Sequence, residues 1–291
     1  MEQTSEKVVF SNLWTKLAAS VKTSIFPAKC LVCNSFIHHC NNSGNNPISC
    51  LLKKNLPNRF NINDLTFEKL IAPYLCIQCS DNFLTVTSPI CHVCGIMFKS
   101  LEGKDRVCGE CLSNPKKFRI ARALGVFDQP LVKLIQCFKY QGKIQLAQTF
   151  EILLLTVFLK YWEKDSIDIV IPVPLHKKRF RKRGYNQAYL LVRNWLQILK
   201  SANIKWPYLK IDRHAIIRKK FTKPQVGLDR KKRMANVKNA FEINIFSDVT
   251  EKKMLLVDDV YTTGATVNEC ANVLLNAGAR YVDVLTLARS I

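Results

Sequence analysis

Eight cysteines set in four Cys-x-x-Cys pairs constrain this chain more than any other feature: Cys30/Cys33, Cys76/Cys79, Cys91/Cys94 and Cys108/Cys111. The short spacing lets two thiolates grip one Zn²⁺ from a single tight turn, and two such knuckles complete a tetrahedral site. The last two pairs are separated by 13 residues, a ribbon-like interval, whereas 42 residues separate the first two. The spacing leaves open whether the pairs form sites in order or interleaved. Gly95 and Gly109, beside the knuckles, offer permissive backbone. The N-terminus shows no export signal, which argues for a reducing compartment and for metal ligation over disulfides. A structural role follows, with metal fixing a module too small to bury enough surface by itself. His38, His39, Cys40 and Cys50 lie in the long interval as alternative ligands, although its Asn-rich composition reads as a polar loop.

Ahead of the first knuckle, Val9, Leu13, Leu17 and Val21, widened by Phe10 and Trp14, predict an amphipathic helix that packs on the protein. Polar residues 113–117 mark a boundary, giving a helix and zinc module over 1–116 and a second domain over 117–291. Beyond the boundary, segments of strand and helix character alternate, the pattern of an α/β fold with a parallel sheet. Helices are predicted near 130–138, 143–162 and 185–200, and strands near 168–173, 240–245, 253–258 and 281–287. No internal repeat is detected. No apolar run approaches the roughly 18 residues a membrane crossing needs, so no membrane insertion and a cytoplasmic location are expected.

Charge is unevenly placed. Lysine and arginine exceed aspartate and glutamate by 44 to 22, and 20 basic residues against 2 acidic ones fall between Leu175 and Ala240. Such a field attracts phosphate-bearing ligands, small or polymeric. Phe180, Tyr185 and Phe221 are interleaved there, placed to stack on bases or to pack. Cys137 and Cys270 sit at apolar helical positions and read as core thiols.

The sharpest motif runs from Met254 to Thr266. An apolar strand ends in Asp258 and Asp259. Val260 and Tyr261 follow, then a loop of Thr262, Thr263, Gly264, Ala265 and Thr266 that opens a helix. Backbone N–H groups at such a start, a glycine allowing close approach and three hydroxyls make a phosphate cradle. Adjacent carboxylates would repel the phosphate and suit the vicinal hydroxyls of a ribose. A nucleotide-binding P-loop is excluded because no Lys follows Gly264, and a dinucleotide fingerprint because only one glycine is present.

This segment resembles the 5-phosphoribosyl-1-pyrophosphate (PRPP) loop of type I phosphoribosyltransferases. A second set narrows the likeness: Ile171 to His176, Arg179, Arg183 to Gln187, and the spaced Arg218, Thr222, Gln225, Leu228, Arg233 and Asn236. With the four cysteine pairs and Phe138 to Gly142, it resembles the ComF branch of competence proteins. The resemblance covers nearly everything from Cys30 onward, and the insertion between Cys33 and Cys76 departs from it.

The resemblance implies a parallel-sheet type I phosphoribosyltransferase fold carrying an N-terminal Cys-rich zinc-binding module. It implies that the backbone at Pro172 and Pro174 holds a pyrophosphate, neutralised by Arg179 and Arg183. Residues 213–236 become a flexible loop closing over PRPP, with Arg218, Thr222 and Gln225 completing the site. Asn186 and Gln187 either cap a helix or touch ligand. Arg183 and Arg218 are the catalytic candidates, stabilising pyrophosphate with Mg²⁺ as the bond to ribose C1 breaks. Three functions fit: a PRPP-binding factor handling imported single-stranded DNA in natural transformation, with competence or recombination proteins as partners; a metabolic transferase acting on a small base or amine; or a zinc-stabilised nucleic-acid module with a relict phosphate site.

Overall fold

The computed structural model describes residues 28–37, 67–100, 102–222 and 230–291. The amphipathic segment over 9–21, His38, His39, Cys40, Cys50, Gln225 and Leu228 lie outside the described residues.

Five parallel strands form the main sheet: β1 (Ala121–Val126), β2 (Ile169–Pro172), β3 (Lys210–Ile211), β6 (Lys253–Tyr261) and β7 (Tyr281–Arg289), in the order β1-β7-β6-β2-β3. Central β6 pairs with β7 from Lys253↔Tyr281 to Tyr261↔Arg289, and with β2 from Ile169↔Met254 to Pro172↔Val257. Met254 to Val257 are all buried, as expected of a strand covered on both faces. The chain leaves β6 toward β7 on one side and β2 toward β3 on the other. The carboxyl ends of β2 and β6 therefore flank a topological switch point, where open α/β sheets bind ligands.

Helices cover both faces. Helix α4 (Gln129–Tyr140) and the 16-residue α5 (Leu146–Tyr161) pack with α7 (Gln187–Leu190) and α8 (Trp195–Ser201) on one face. There Phe158 packs between Trp162, Trp195 and Trp206, with ring centroids 4.6–5.8 Å away. Helix α10 (Ala265–Asn276) covers the other face, together with an antiparallel pair of β4 (Ile216–Arg218) and β5 (Phe241–Ile243). The remaining helices among the described residues are α1 (Phe67–Ile71), α2 (Ile77–Asp81), α3 (Gly109–Ser113), α6 (Lys177–Arg183) and α9 (Arg230–Val237).

Several details differ from the sequence expectation. The predicted helix near 185–200 is interrupted between α7 and α8, because buried Glu151 captures the Asn194 backbone N–H at 2.5 Å and its Nδ2 at 2.9 Å. The predicted strand near 240–245 joins the small antiparallel pair instead of the main sheet. Strand β1, Ala-Arg-Ala-Leu-Gly-Val, carries too few β-branched residues to announce itself. The segment 213–236 is not wholly irregular, since β4 and all but the last residue of α9 lie within it.

The two four-cysteine units are also built alike, which the sequence conceals. Each first pair sits in a loop closed by a short antiparallel bridge, Lys29↔Phe36 in one and Ile90↔Met97 in the other. Asn34 and Gly95 occupy the same left-handed position after the pair, at φ 62° and 65°. Each second pair opens a short helix, with Cys76 and Cys108 at the N-caps of α2 and α3. Gly109 thus belongs to a helix and needs no special backbone. Gly95 does, and a Cβ there would lie 2.4 Å from the Ala121 carbonyl oxygen. The intervals of 42 and 13 residues hide this duplication from a linear comparison.

Candidate functional site

The cysteine pairs join in chain order. Cys30, Cys33, Cys76 and Cys79 form one group and Cys91, Cys94, Cys108 and Cys111 a second, with the sulfurs of each within 4.8 Å of one another. A tetrahedral site with Zn–S bonds of about 2.3 Å has sulfur–sulfur edges of about 3.8 Å. Cys33 and Cys76 Sγ are 3.7 Å apart, as are Cys94 and Cys108 Sγ. Backbone N–H groups of Cys94 and Cys108 both donate to Cys91 Sγ at 3.4 Å. Burial raises the Cys91 thiol, but these N–H donors outweigh it and bring the pKa down to about 7. Burial and neighbouring thiols push Cys111 up, a cost that a cation held by the group would offset. The donor set fits zinc in both groups. The first group packs against α5 and its neighbours, the second against the α10 face.

Strand β6 carries Asp258 and Asp259 past the end of its pairing with β2. Alternation along the strand sends the two carboxylates to opposite faces. Asp258 is half-buried and lines a narrow cleft with Tyr261, Thr262, Gly264, Ala265 and Thr266. Burial and the Asp259 carboxylate push Asp258 up to about 7, against the pull of Lys139 and Arg218. Asp259, only 9% exposed, turns to α4 and pairs with Lys139 at 2.8 Å. The two acids therefore do not line the cleft side by side, as their adjacency in sequence suggested. Gly264 is the N-cap of α10, at φ 75°. A Cβ there would come within 2.4 Å of Tyr261 Oη, so the loop closes only over glycine. Ala265 N–H donates to Thr263 Oγ1 at 3.4 Å. The cleft is small, with room of about 10 Å³ for water-sized groups.

Arginines gather on the Asp258 side. Arg218, 7% exposed, donates to Thr222 Oγ1 at 2.7 Å, and Arg179 donates to the Thr222 carbonyl at 2.8 Å. Burial lowers both guanidinium pKa values, and each feels a like charge, Arg179 from Arg183 and Arg218 from Arg179. Arg218 Nε has no partner among the described residues. Two crowded, desolvated guanidiniums with a buried, unpartnered Nε form a site that favours an added anion. Arg183, one turn along α6 from Arg179, stands over the Tyr140 ring at 5.1 Å and makes no hydrogen bond to Thr222. Pro174 is buried after β2. Asn186 caps α7 through Ala188 N–H and donates to the Val173 carbonyl, which gives it a structural role. Gln187 is 1% exposed with Nε2 unpartnered among the described residues.

The run Lys177 to Arg183, which composition alone would leave as a solvated stretch, is helix α6, capped by His176 and ended by Gly184 at φ 80°. Phe180 stands exposed on it and Phe221 exposed beside it, whereas Tyr185 is tied down by a 2.5 Å hydrogen bond to the Phe138 carbonyl. Cys137 and Cys270 are buried core thiols, as predicted. Sequence reasoning missed Lys139 and Arg289. Lys139 was visible only as one residue of the Phe138–Gly142 segment, and Arg289 had no motif around it.

No family profile matches the chain. Among curated proteins, Competence protein F of Haemophilus influenzae is 32% identical over 234 residues, spanning 75% of this chain and 97% of its own length. The chain belongs to the ComF family. DNA utilization protein YhgH of Escherichia coli is 32% identical over 75% of this chain and 91% of its own length. Competence protein ComFC of Bacillus subtilis is 26% identical over 74% and 84%. Among solved structures, a hypoxanthine phosphoribosyltransferase from Staphylococcus aureus aligns over 52% of the chain and 74% of its own, at 12% identity. Its TM-score of 0.27 is too low to add to the sheet topology. This ComF-family chain therefore carries a five-stranded parallel sheet, a loop after β6 and two four-cysteine groups. Among the described residues, no helix is long and apolar enough to cross a membrane.

Proposed function

We propose that this ComF-family protein binds PRPP with Mg²⁺ and handles imported single-stranded DNA in the cytoplasm during natural transformation. The observation that carries the PRPP half is the Arg179–Thr222–Arg218 cluster set against Asp258 at the mouth of the Thr262–Thr266 loop. Anion-seeking guanidiniums on one side and a helix-start cradle on the other match a ligand phosphorylated at both ends of a sugar. Asp258 accepts from a ribose hydroxyl, and Asp259, steadied by Lys139, supports it. Mg²⁺ would supply charge neutralisation for the pyrophosphate, and Arg179 and Arg218 share that task. Arg183 contributes field from the end of α6.

The DNA half draws on α6, whose Lys177, Lys178, Arg181 and Lys182 are exposed around Phe180 and Phe221. Cations along a strand with aromatic rings between them suit a single-stranded backbone and its bases. The relatives' names, a competence protein and a DNA utilization protein, agree with that direction. The test is transformation frequency with an Asp258→Asn/Asp259→Asn chain that keeps its fold and zinc. Loss of transformation supports the reading; wild-type frequency would leave the phosphate site a relict.

A second reading is phosphoribosyl transfer to a small base or amine. It draws on a cavity of about 260 Å³ on the far flank of the loop, lined by Ile96, Lys116, Tyr261, Thr262, Thr263 and Ser290 among others. It predicts release of pyrophosphate from PRPP with one particular acceptor and none without it.

A further inference from the structure

Arg289, the last residue of β7, sits between the second four-cysteine group and the phosphate loop and is bonded to both. It is 8% exposed. Its Nε donates to the Cys94 carbonyl at 3.0 Å and its Nη2 to Cys94 Sγ at 3.5 Å. Its Nη1 donates to the Thr262 carbonyl at 3.0 Å and to the Ser290 carbonyl. The guanidinium plane also lies 4.1 Å from the centroid of Tyr261, the residue whose hydroxyl sits under Gly264. Tyr261 is held in turn by Ser290 N–H, which donates to its carbonyl at 2.9 Å, and by the edge of Phe118. One planar fork thus spans a metal ligand and the first threonine of the loop. A lysine, with a single ammonium, cannot hold both ends.

We propose that Arg289 is a positioning residue that makes the second four-cysteine group and the phosphate loop one coupled unit. Cys94, fixed in a metal-loaded group, fixes the Arg289 fork. The fork holds the Thr262 carbonyl and the Tyr261 ring, and these set the backbone of the cradle. Linkage is reciprocal, so a ligand that orders the loop also slows loss of metal from Cys91, Cys94, Cys108 and Cys111. The first four-cysteine group has no such connection among the described residues, because it packs on the opposite face of the sheet.

Two measurements on the full chain test this. The first needs no ligand and reads amide hydrogen exchange across residues 261–268 in the zinc-loaded protein. Arg289→Lys, with two zinc ions retained, is expected to speed exchange there about 10-fold or more while β2 and α5 stay protected. Unchanged exchange in that segment, or an equal rise throughout the sheet, would overturn the proposal. The second reads zinc transfer to a chromophoric chelator and rests on the PRPP reading above. PRPP with Mg²⁺ is expected to slow release of one of the two zinc ions about 5-fold or more, and Arg289→Lys to abolish that protection. Slowing of both ions alike, or of one ion equally in Arg289→Lys, would contradict it. Should PRPP fail to bind at all, the exchange result still decides the role of Arg289.

Discussion

At the end of β6, Asp258 is held near a pKa of about 7 by burial and by the carboxylate beside it, while an unfolded aspartate titrates near 3.8. Between those values the folded chain keeps a proton that the unfolded chain has lost, so stability falls as pH rises through that window and levels off above about 7. Asp258→Asn removes the penalty. It is expected to raise stability at pH 8 by on the order of 1 kcal/mol, or about 2–4 °C in Tm by thermal melting. The same change is expected to remove PRPP binding. A carboxylate accepts from a sugar diol best when ionised, so wild-type affinity should rise from pH 6 to pH 8, by up to about tenfold per unit below the pKa. Gly264→Ala should cost about 1–3 kcal/mol, from the left-handed backbone and the clash with Tyr261, measured by denaturant unfolding. At this scale the loop itself was legible, because a strand ending in two acids and a Thr-Gly start is a local pattern. Two of its partners were not. Lys139 and Arg289 reach the site from α4 and β7, and nothing in a linear sequence reports which distant cation meets which acid, whereas Arg218 on β4 was named only through the family resemblance.

The elements show the same division. Strand β6 and helices α4, α5 and α10 could be read from their apolar patterns because each is a sustained, buried run. Short β1, β3 and β4 have no such run, and their state is decided by the strands they join. The break between α7 and α8 depends on Glu151, over 40 residues earlier in the chain, whose burial pushes its carboxyl up to about 7. The cysteine pairs were legible in kind, and only the fold reveals that they are two copies of one design on opposite faces of the sheet. Metal analysis of the purified chain should give two zinc ions. Cys91→Ser should leave one, and should disturb the Thr262–Thr266 loop more than Cys30→Ser does, as read by hydrogen exchange.

Over the whole molecule, a net charge of +22 is gathered largely into the stretch that contains α6 and α9. Binding of single-stranded DNA should weaken steeply with salt, and replacing Lys178, Arg181 and Lys182 by Ala should flatten the log–log slope by about 2, at roughly 0.7 per phosphate contact for single strands. Fluorescence anisotropy across a salt series reads that slope. The basic helix follows the same β2 carboxyl end that borders the Thr262–Thr266 loop, so one end of the sheet carries both. The account turns on the smaller of them. Calorimetric titration of PRPP with Mg²⁺ into the zinc-loaded wild type and into Asp258→Asn/Asp259→Asn tests it most directly. Saturable one-to-one binding in the wild type, lost in a folded double variant, is the predicted result. No heat from the wild type, or equal affinity in both proteins, would contradict it.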